Sequence, residues 1–319
     1  MNILCSGRGA QELTEAGVLR KWPGRARLIG LQDAAEADIA FVTRDIVWPS
    51  TDTWLAPATA AFYDAMLAAP GLRWVHTYAS GADRRIYRDL RARGVRVTNS
   101  AGANAGAVAQ TAVASFLYFA RKLHAARDQQ LQRVWQPMAH DEVRALHRLD
   151  AMVVGWGEIG QRIGAHLSQF GVRCRVLRHS GTPVSHGWPT AGYDAFGQWA
   201  ASVDWAFFAC PLSPETQALF NWRTLDVLRA DRPLNIVNVA RGPIVDTKAL
   251  LAAHERGLVR HAHLDVFDTE PLPADDPLWT CPDFLVTPHM AGTSDGNREE
   301  VVERFVALLG SFAEDGGGK

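Results

Sequence analysis

Residues Ala151 to Gly171, AMVVGWGEIGQRIGAHLSQFG, constrain the fold more than any other stretch of the chain. A short apolar run leads into Gly155, and a helical pattern starts beyond Gly157. Gly155, Gly157 and Gly160 stand between the two at G-x-G-x-x-G spacing. In that setting each glycine has a use: a tight turn, close backbone approach to a pyrophosphate, and close packing of helix on strand. The helix N-terminus then meets the negative charge of the ligand. The spacing alone is weak evidence, because methyltransferases and plain turns also carry it. The strand before it and the helix after it give it weight.

The rest of the chain repeats the same alternation. NILCS, ARLIG, DIAFV, RWVHT and VRVTN read as strands, separated by helical stretches such as GAQELTEAGVLR and ATAAFYDAMLAAP. That order predicts a parallel sheet wrapped by helices. A second set, AMVVG, RCRVL, WAFFA, NIVNV, AHLDVF and FLVTP, is richer in Val, Ile and Phe, as strands covered on both faces require. Between the sets, Ala103 to Arg127 predicts one long apolar helix lying between domains or subunits. The segment DGNREEVVERFVALLGSFAEDGGGK reads as an amphipathic helix with a frayed glycine tail. Two domains are expected for 319 residues.

Charge and cysteine usage narrow the class. Lys and Arg total 33 against 34 Asp and Glu, a net charge of -1, which leaves no electrostatic footprint for nucleic acid or an acidic membrane surface. The most apolar stretch, AGAVAQTAVASFLYFA, is broken by Gln110 and predicts a buried helix, not a membrane span. MNILCSG turns polar too soon for a signal peptide. Cys5, Cys174, Cys210 and Cys281 show no paired motif and sit in or beside apolar runs. They are expected to be buried thiols in a reducing, cytoplasmic setting, and no metal is expected.

The stretch CRVLRHSG, Cys174 to Gly181, bears on which dinucleotide binds. An NAD site usually places an Asp or Glu here, on the adenosine ribose. After Glu158 no acid appears until Asp194, and the strand end is basic: Arg175, Arg178 and His179, followed by Ser180. A guanidinium accommodates a 2'-phosphate with charge-assisted bonds, so the reading favours NADP(H). The alternative is a permissive NAD(H) site with Arg178 and His179 as solvated loop residues.

Three further polar groups fall at successive strand ends. NIVNVARGPIVD places Arg241 after a strand, AHLDVFDTEPLP places Asp265 and Glu270 around the end of the next, and FLVTPHMAG places His289 after a third. Singly, these are an ordinary strand-end cap, a loop carboxylate and a loop histidine. Together they lie along the edge where open α/β sheets bind ligands, and can fix an anion and move a proton.

With these pieces in order, the chain closely resembles the D-isomer-specific 2-hydroxyacid dehydrogenases over nearly its whole length. GWGEIG, PLSPETQALF, NVARGPIVD, LDVFDTEPLP and TPHMAG carry the resemblance, with weaker support from YASGADR and VTNSAGANAGAVAQ. It implies two Rossmann-like or flavodoxin-like parallel-sheet domains, with a coenzyme domain (101–290) inserted in a substrate domain (1–100 plus 291–319). It implies catalytic roles for Arg241, Glu270 and His289 in the reduction of a 2-oxo acid: Arg241 would clamp the carboxylate and polarise the ketone, His289 would protonate the developing alkoxide, and Glu270 beside it would favour the charged imidazole. On the coenzyme side it places Gly155, Gly157, Glu158, Ile159, Gly160, Pro211, Ala240 and Asp265, the last in a supporting role. The Ser80 and Gly81 amides resemble a substrate-carboxylate loop, or form a simple turn. GANAGAVAQTAVASFLYFAR resembles a linking helix at a homodimer interface, with Gln110 where the family often has Glu. LPADDPLWTCPDFLVTPHMAG looks like the glyoxylate/hydroxypyruvate reductase branch. In it Trp279 either shapes the pocket, in one scenario from a partner subunit, or belongs to the core, the preferred placement. An NADPH-preferring reductase of small 2-oxo acids is therefore expected. An NAD-dependent D-2-hydroxyacid or phosphoglycerate dehydrogenase, and a dinucleotide-sensing corepressor, stay open. The absence of a following regulatory domain argues against the long, feedback-regulated phosphoglycerate dehydrogenases.

Overall fold

The structure, a computed structural model, describes residues 1–48, 50 and 54–314. The chain divides into two units, Met1–Asn104 with Ser294–Lys319, and Ala105–Thr293. The first carries a five-stranded parallel sheet of β1 (Asn2–Cys5), β2 (Arg27–Ile29), β3 (Ile39–Val42), β4 (Trp74–Thr77) and β5 (Arg96–Asn99), ordered β2-β1-β3-β4-β5. Leu4 of β1 lies opposite Ile29 on one side and Ala40 on the other. Every residue of β3 and β4 is buried, which is why these strands read as unbroken runs in place of alternating ones. One face packs on Phe62, Met66, Tyr87 and Leu90. The other is covered by the helix Asn297–Glu314, whose Val301, Val302, Phe305, Leu309 and Phe312 are buried. Phe305 lies 4.5 Å from Phe41 and stacks on Trp74 at 5.1 Å. Each such side chain contributes about 1.5–3 kcal/mol by leaving water, so the returning C-terminal helix is part of this unit's core.

The second unit carries β6 (Asp150–Val154), β7 (Arg173–Leu177), β8 (Thr190–Ala191), β9 (Trp205–Phe208), β10 (Leu234–Asn238), β11 (Val259–Leu264) and β12 (Phe284–Val286). All seven are parallel, in the order β12-β11-β10-β9-β6-β7-β8. Val153 of β6 faces Val176 on one side and Phe207 on the other. Strand order reverses between β6 and β9, and in sheets of this kind ligands bind outside the C-terminal strand ends at that switch point.

Three expectations need correction. The long helix over 103–127 is two helices, Ala105–Ala120 and Leu123–Gln132, with Lys122 between them in the left-handed region (φ 58). The first buries Val108, Ala109, Ala112, Phe116 and Phe119 at helical spacing, whereas the second has no fully buried residue and packs back through His124, whose ring lies 5.2 Å from Phe119 and 4.8 Å from His261. GAQELTEAGVLR likewise breaks at Gly17 (φ 74), between Gly7–Glu15 and Val18–Lys21. Trp279 is not a core residue. It is half exposed on a short 3-10 turn, with its indole N–H donating to the Pro273 carbonyl at 2.8 Å. The expected glycine tail lies outside the described residues. Among those described, no helix is long and apolar enough to cross a membrane.

Candidate active site

The glycine turn joins β6 to the helix Glu158–Gln169. Gly155 has φ 100, and a Cβ there would lie 2.6 Å from the Ala209 carbonyl oxygen and the Cys210 nitrogen, at the end of β9. A Cβ on Gly160 would lie 2.0 Å from the Gly155 carbonyl oxygen, so the helix needs glycine to press on the turn. Gly157 is different. Its φ of -78 is ordinary and a Cβ would meet nothing within 4 Å. It is the helix N-cap residue, and the space before it is where a pyrophosphate would approach backbone amides. The turn therefore fits a dinucleotide. Glu158 is exposed in the first helical turn, and Ile159 packs partly on the apolar layer beneath. Pro211 lies in the loop after β9. The Thr216 hydroxyl folds that loop by donating to the Pro211 carbonyl at 2.7 Å and accepting from the Ser213 N–H at 2.8 Å.

At the end of β7, the Arg178 N–H donates to the Ala191 carbonyl at 3.0 Å, which sets the strand end against β8. Arg178 is half-buried, and His179 and Ser180 are exposed. His179 Nδ1 lies 2.6 Å from the Glu215 carboxylate. Ser180 Oγ accepts from the Thr182 N–H at 3.3 Å. Arg175 is engaged elsewhere, on Ser202 at 3.0 Å and over the Trp199 ring. The acid absent from the strand thus has a neighbour from another loop. Glu215 stands thirty-six positions on from His179, where nothing local in the sequence connects the two.

The ends of β10, β11 and β12 bring Arg241, Asp265, Glu270 and His289 to one edge of the sheet. Buried Asn238 shapes the first turn, with its amide donating to the Arg241 carbonyl at 3.0 Å and its Oδ1 accepting from the Ala240 N–H at 3.1 Å. Ala240 is buried, and its carbonyl accepts from Arg241 Nη1 at 2.6 Å. The next residue, Gly242, presses against the following loop, since a Cβ there would lie 2.0 Å from the Phe267 carbonyl carbon. That loop presents Glu270. One of its carboxylate oxygens accepts from the Phe267 N–H at 3.0 Å, and the other lies 2.7 Å from His289 Nδ1. Burial alone would raise the Glu270 pKa. The hydrogen bond and charge of His289, aided by the Phe267 amide and the charge of Arg241, hold it below the ordinary value. His289 is 45% exposed and has φ 49, in the left-handed region.

Asp265 is buried, and its oxygens accept from the Thr287 hydroxyl at 2.6 Å, the Met290 N–H at 2.9 Å and the Ala291 N–H at 3.0 Å. Burial pushes its pKa up, against the pull of these three donors. The carboxylate clasps the segment that carries His289. Asn238, Gly242, His263 and Thr287 were not singled out in the sequence. None carries a signal of its own there: β10 also holds Asn235, and β11 also holds Arg260 and His261. In the five-stranded unit, Ser80 and Gly81 follow β4, and the Ser80 hydroxyl donates to Asn104. Of the four cysteines, Cys5, Cys174 and Cys210 are buried and Cys281 is partly exposed, so the expectation of buried thiols fails for Cys281.

Comparison with known proteins places this geometry in a family. Residues 113–291 match the NAD binding domain of the D-isomer specific 2-hydroxyacid dehydrogenases. The glyoxylate reductase of Thermococcus kodakarensis is 30% identical over 255 residues, covering 77% of this chain and 74% of that protein. The glyoxylate/hydroxypyruvate reductase B of Yersinia pestis is 30% identical over 266 residues, 79% of each. A D-isomer specific 2-hydroxyacid dehydrogenase from Xanthobacter autotrophicus Py2, solved in complex with NADPH and MES, superposes with a TM-score of 0.73 at 26% identity, over 96% of this chain and 95% of that one. With a glycine turn that fits a dinucleotide and polar groups gathered on the same sheet edge, the chain belongs to the D-isomer specific 2-hydroxyacid dehydrogenase family, the NAD(P)-dependent oxidoreductases acting on CH–OH donors.

Proposed function

We propose that the protein reduces a small 2-oxo acid of the glyoxylate or hydroxypyruvate type to the D-2-hydroxy acid, with NADPH as preferred coenzyme. The observation that carries this reading is the His289–Glu270 contact of 2.7 Å at the sheet edge that also holds Arg241. When bound, the nicotinamide supplies the hydride. Arg241 binds the substrate carboxylate through its planar fork and draws electron density from the ketone oxygen. Glu270 occupies Nδ1 of His289, so the proton leaves from Nε2 and reaches the oxygen that becomes the alcohol. Glu270 thereby also fixes the orientation of the ring. Asp265 acts through the backbone, by holding the His289 segment. The Ser80–Gly81 amides would take part in gripping the carboxylate.

For the coenzyme, Arg178 supports NADP(H), because among the described residues its side chain has no hydrogen-bond or ion-pair partner and stands beside the ribose end of the turn. The names of two relatives, both glyoxylate reductases, and the NADPH complex of a third support the substrate and coenzyme classes. We further propose a homodimer. The helix Leu123–Gln132 has no fully buried residue, and Leu131 and a 96% exposed Trp135 face solvent on and just beyond it, an apolar patch suited to a second copy.

The test is a turnover assay with NADPH or NADH against a panel of 2-oxo acids, on wild type and His289→Gln. The expected result is reduction of glyoxylate or hydroxypyruvate, and a fall in kcat of about 10²- to 10⁴-fold in the variant with coenzyme affinity retained. Turnover within about tenfold of wild type in the variant would remove His289 as the proton donor.

A further inference from the structure

β11 carries a second histidine two positions before Asp265. His263 is fully buried, and its Nε2 lies 2.9 Å from the Thr287 hydroxyl oxygen. That hydroxyl also lies 2.6 Å from Asp265 Oδ1. A hydroxyl has one proton to give and accepts at its oxygen. The Asp265 carboxylate is surrounded by donors, so the Thr287 proton goes to it. The Thr287 oxygen must then accept, and the ring must donate from Nε2. This assigns His263 as the neutral Nε2–H tautomer. Its Nδ1 has no hydrogen-bond partner among the described residues, which a bare ring nitrogen tolerates better than a buried N–H would. Burial draws the His263 pKa down to about 4, so the ring stays neutral at ordinary pH.

Thr287 is the root of the segment that bears His289. Its N–H donates to the Leu264 carbonyl at 3.0 Å, and its own carbonyl accepts from the His289 N–H at 2.9 Å. The left-handed backbone at His289 is uncommon for a residue other than glycine and persists only where its surroundings impose it. The chain of contacts from His263 to Thr287 to Asp265, and on to the Met290 and Ala291 amides, is such an imposition.

We propose that His263 is a positioning residue for the reaction: by donating to Thr287 it orients the hydroxyl that, with Asp265, fixes the backbone carrying His289. The inference rests on the reading of His289 as proton donor. Removing the donor loosens the placement of His289 and lowers kcat while leaving coenzyme binding alone.

Four variants and one spectroscopic measurement test this. His263→Leu keeps approximate volume and removes the donor. His263→Gln keeps an N–H that reaches the Nε2 position. Thr287→Val removes the hydroxyl, and His263→Leu/Thr287→Val removes both. In folded protein, verified by circular dichroism, His263→Leu is expected to lower kcat about tenfold, the order of one net hydrogen bond, with the coenzyme Kd within about twofold. His263→Gln is expected to recover most of that loss. The double variant is expected to be no slower than the slower single one, as for two members of one chain of contacts. The ring 15N shifts of His263 in the unliganded wild type are expected to show the neutral Nε2–H tautomer. A Nδ1–H tautomer, an imidazolium at neutral pH, equal kcat in His263→Leu and wild type, or failure of Gln to recover the rate would each overturn the proposal. If wild type reduces no 2-oxo acid, or His289→Gln keeps the rate, the reading of His289 falls instead, a result separate from the tautomer measurement.

Discussion

Replacing Arg178 with Asp tests which coenzyme the β7 edge is built for. In wild type Arg178 is a half-buried residue at a strand end tied to β8 by its own N–H at 3.0 Å, so the substitution leaves the backbone where it is. A charge-assisted bond to a 2'-phosphate is worth about 1.5–3 kcal/mol. Part of the group is in water, so the low end applies, about tenfold in affinity for NADPH. The new carboxylate then adds repulsion of the phosphate, taking the expected loss to about 30- to 100-fold. Towards NADH the same carboxylate offers an acceptor for the free 2'-hydroxyl, so NADH use should hold or improve. Glu215 sharpens the test. It already stands 2.6 Å from His179, and Glu215→Gln removes a negative charge from the same edge. It should shift the preference modestly towards NADPH, the opposite direction to Arg178→Asp. The assay is the ratio of kcat/KM with NADPH and NADH in each protein. A wild type that prefers NADH, or a ratio that does not move in Arg178→Asp, would show that Arg178 and His179 are solvated loop residues and refute the phosphate assignment.

Other consequences follow from the same structure. Arg241→Lys keeps the charge but loses the two-point grip, so KM for the 2-oxo acid should rise and kcat fall by at least tenfold together in steady-state kinetics. Asp204 is buried and bonded to Arg144 at 2.6 Å and Arg232 at 3.2 Å. Burial alone would raise its pKa, and these bonds hold it below the ordinary value. Its contribution is thus present above the unfolded-state pKa and lost as pH falls through the lower folded one. Asp204→Asn should cost about 2–4 kcal/mol at pH 7 in urea unfolding, and less at a pH below both values. Burial pushes the Cys5, Cys174 and Cys210 thiols up to about 12, whereas Cys281 is partly exposed. Iodoacetamide on the native protein should label Cys281 first by mass spectrometry. Trp135→Glu should drive the protein towards monomer in analytical ultracentrifugation, and an unchanged sedimentation coefficient would remove that patch from the interface.

Much of this architecture was legible because its determinants are local. The apolar runs of β3, β4, β6 and β9 are buried at nearly every position, so they stand out without alternation. The glycine turn, Arg241, Glu270 and His289 each sit beside a strand that reads clearly. What escaped depends on distant partners. β8 has two residues and exists by pairing with Val176 and Leu177. The break at Lys122 has no glycine or proline to announce it, and the second helix packs through His124 on Phe119 and on the distant His261. Trp279 looks like core by type, but its indole bonds to a turn carbonyl six residues away. Glu215 meets His179, and His263 meets Thr287, across loops whose spacing in the chain says nothing of distance in space.

The three glycines of the β6 turn divide two kinds of selection. Gly155 and Gly160 answer to the protein's own packing, and Gly157 answers to nothing the chain itself supplies. A descendant that gave up its dinucleotide would therefore keep glycine at 155 and 160, to go on folding, and be free to drift at 157. The middle position of the motif is the one whose identity records whether a ligand is still being bound, and Gly157→Ala should lower the melting temperature by no more than a few degrees, the cost of a poorer helix N-cap, while coenzyme affinity falls.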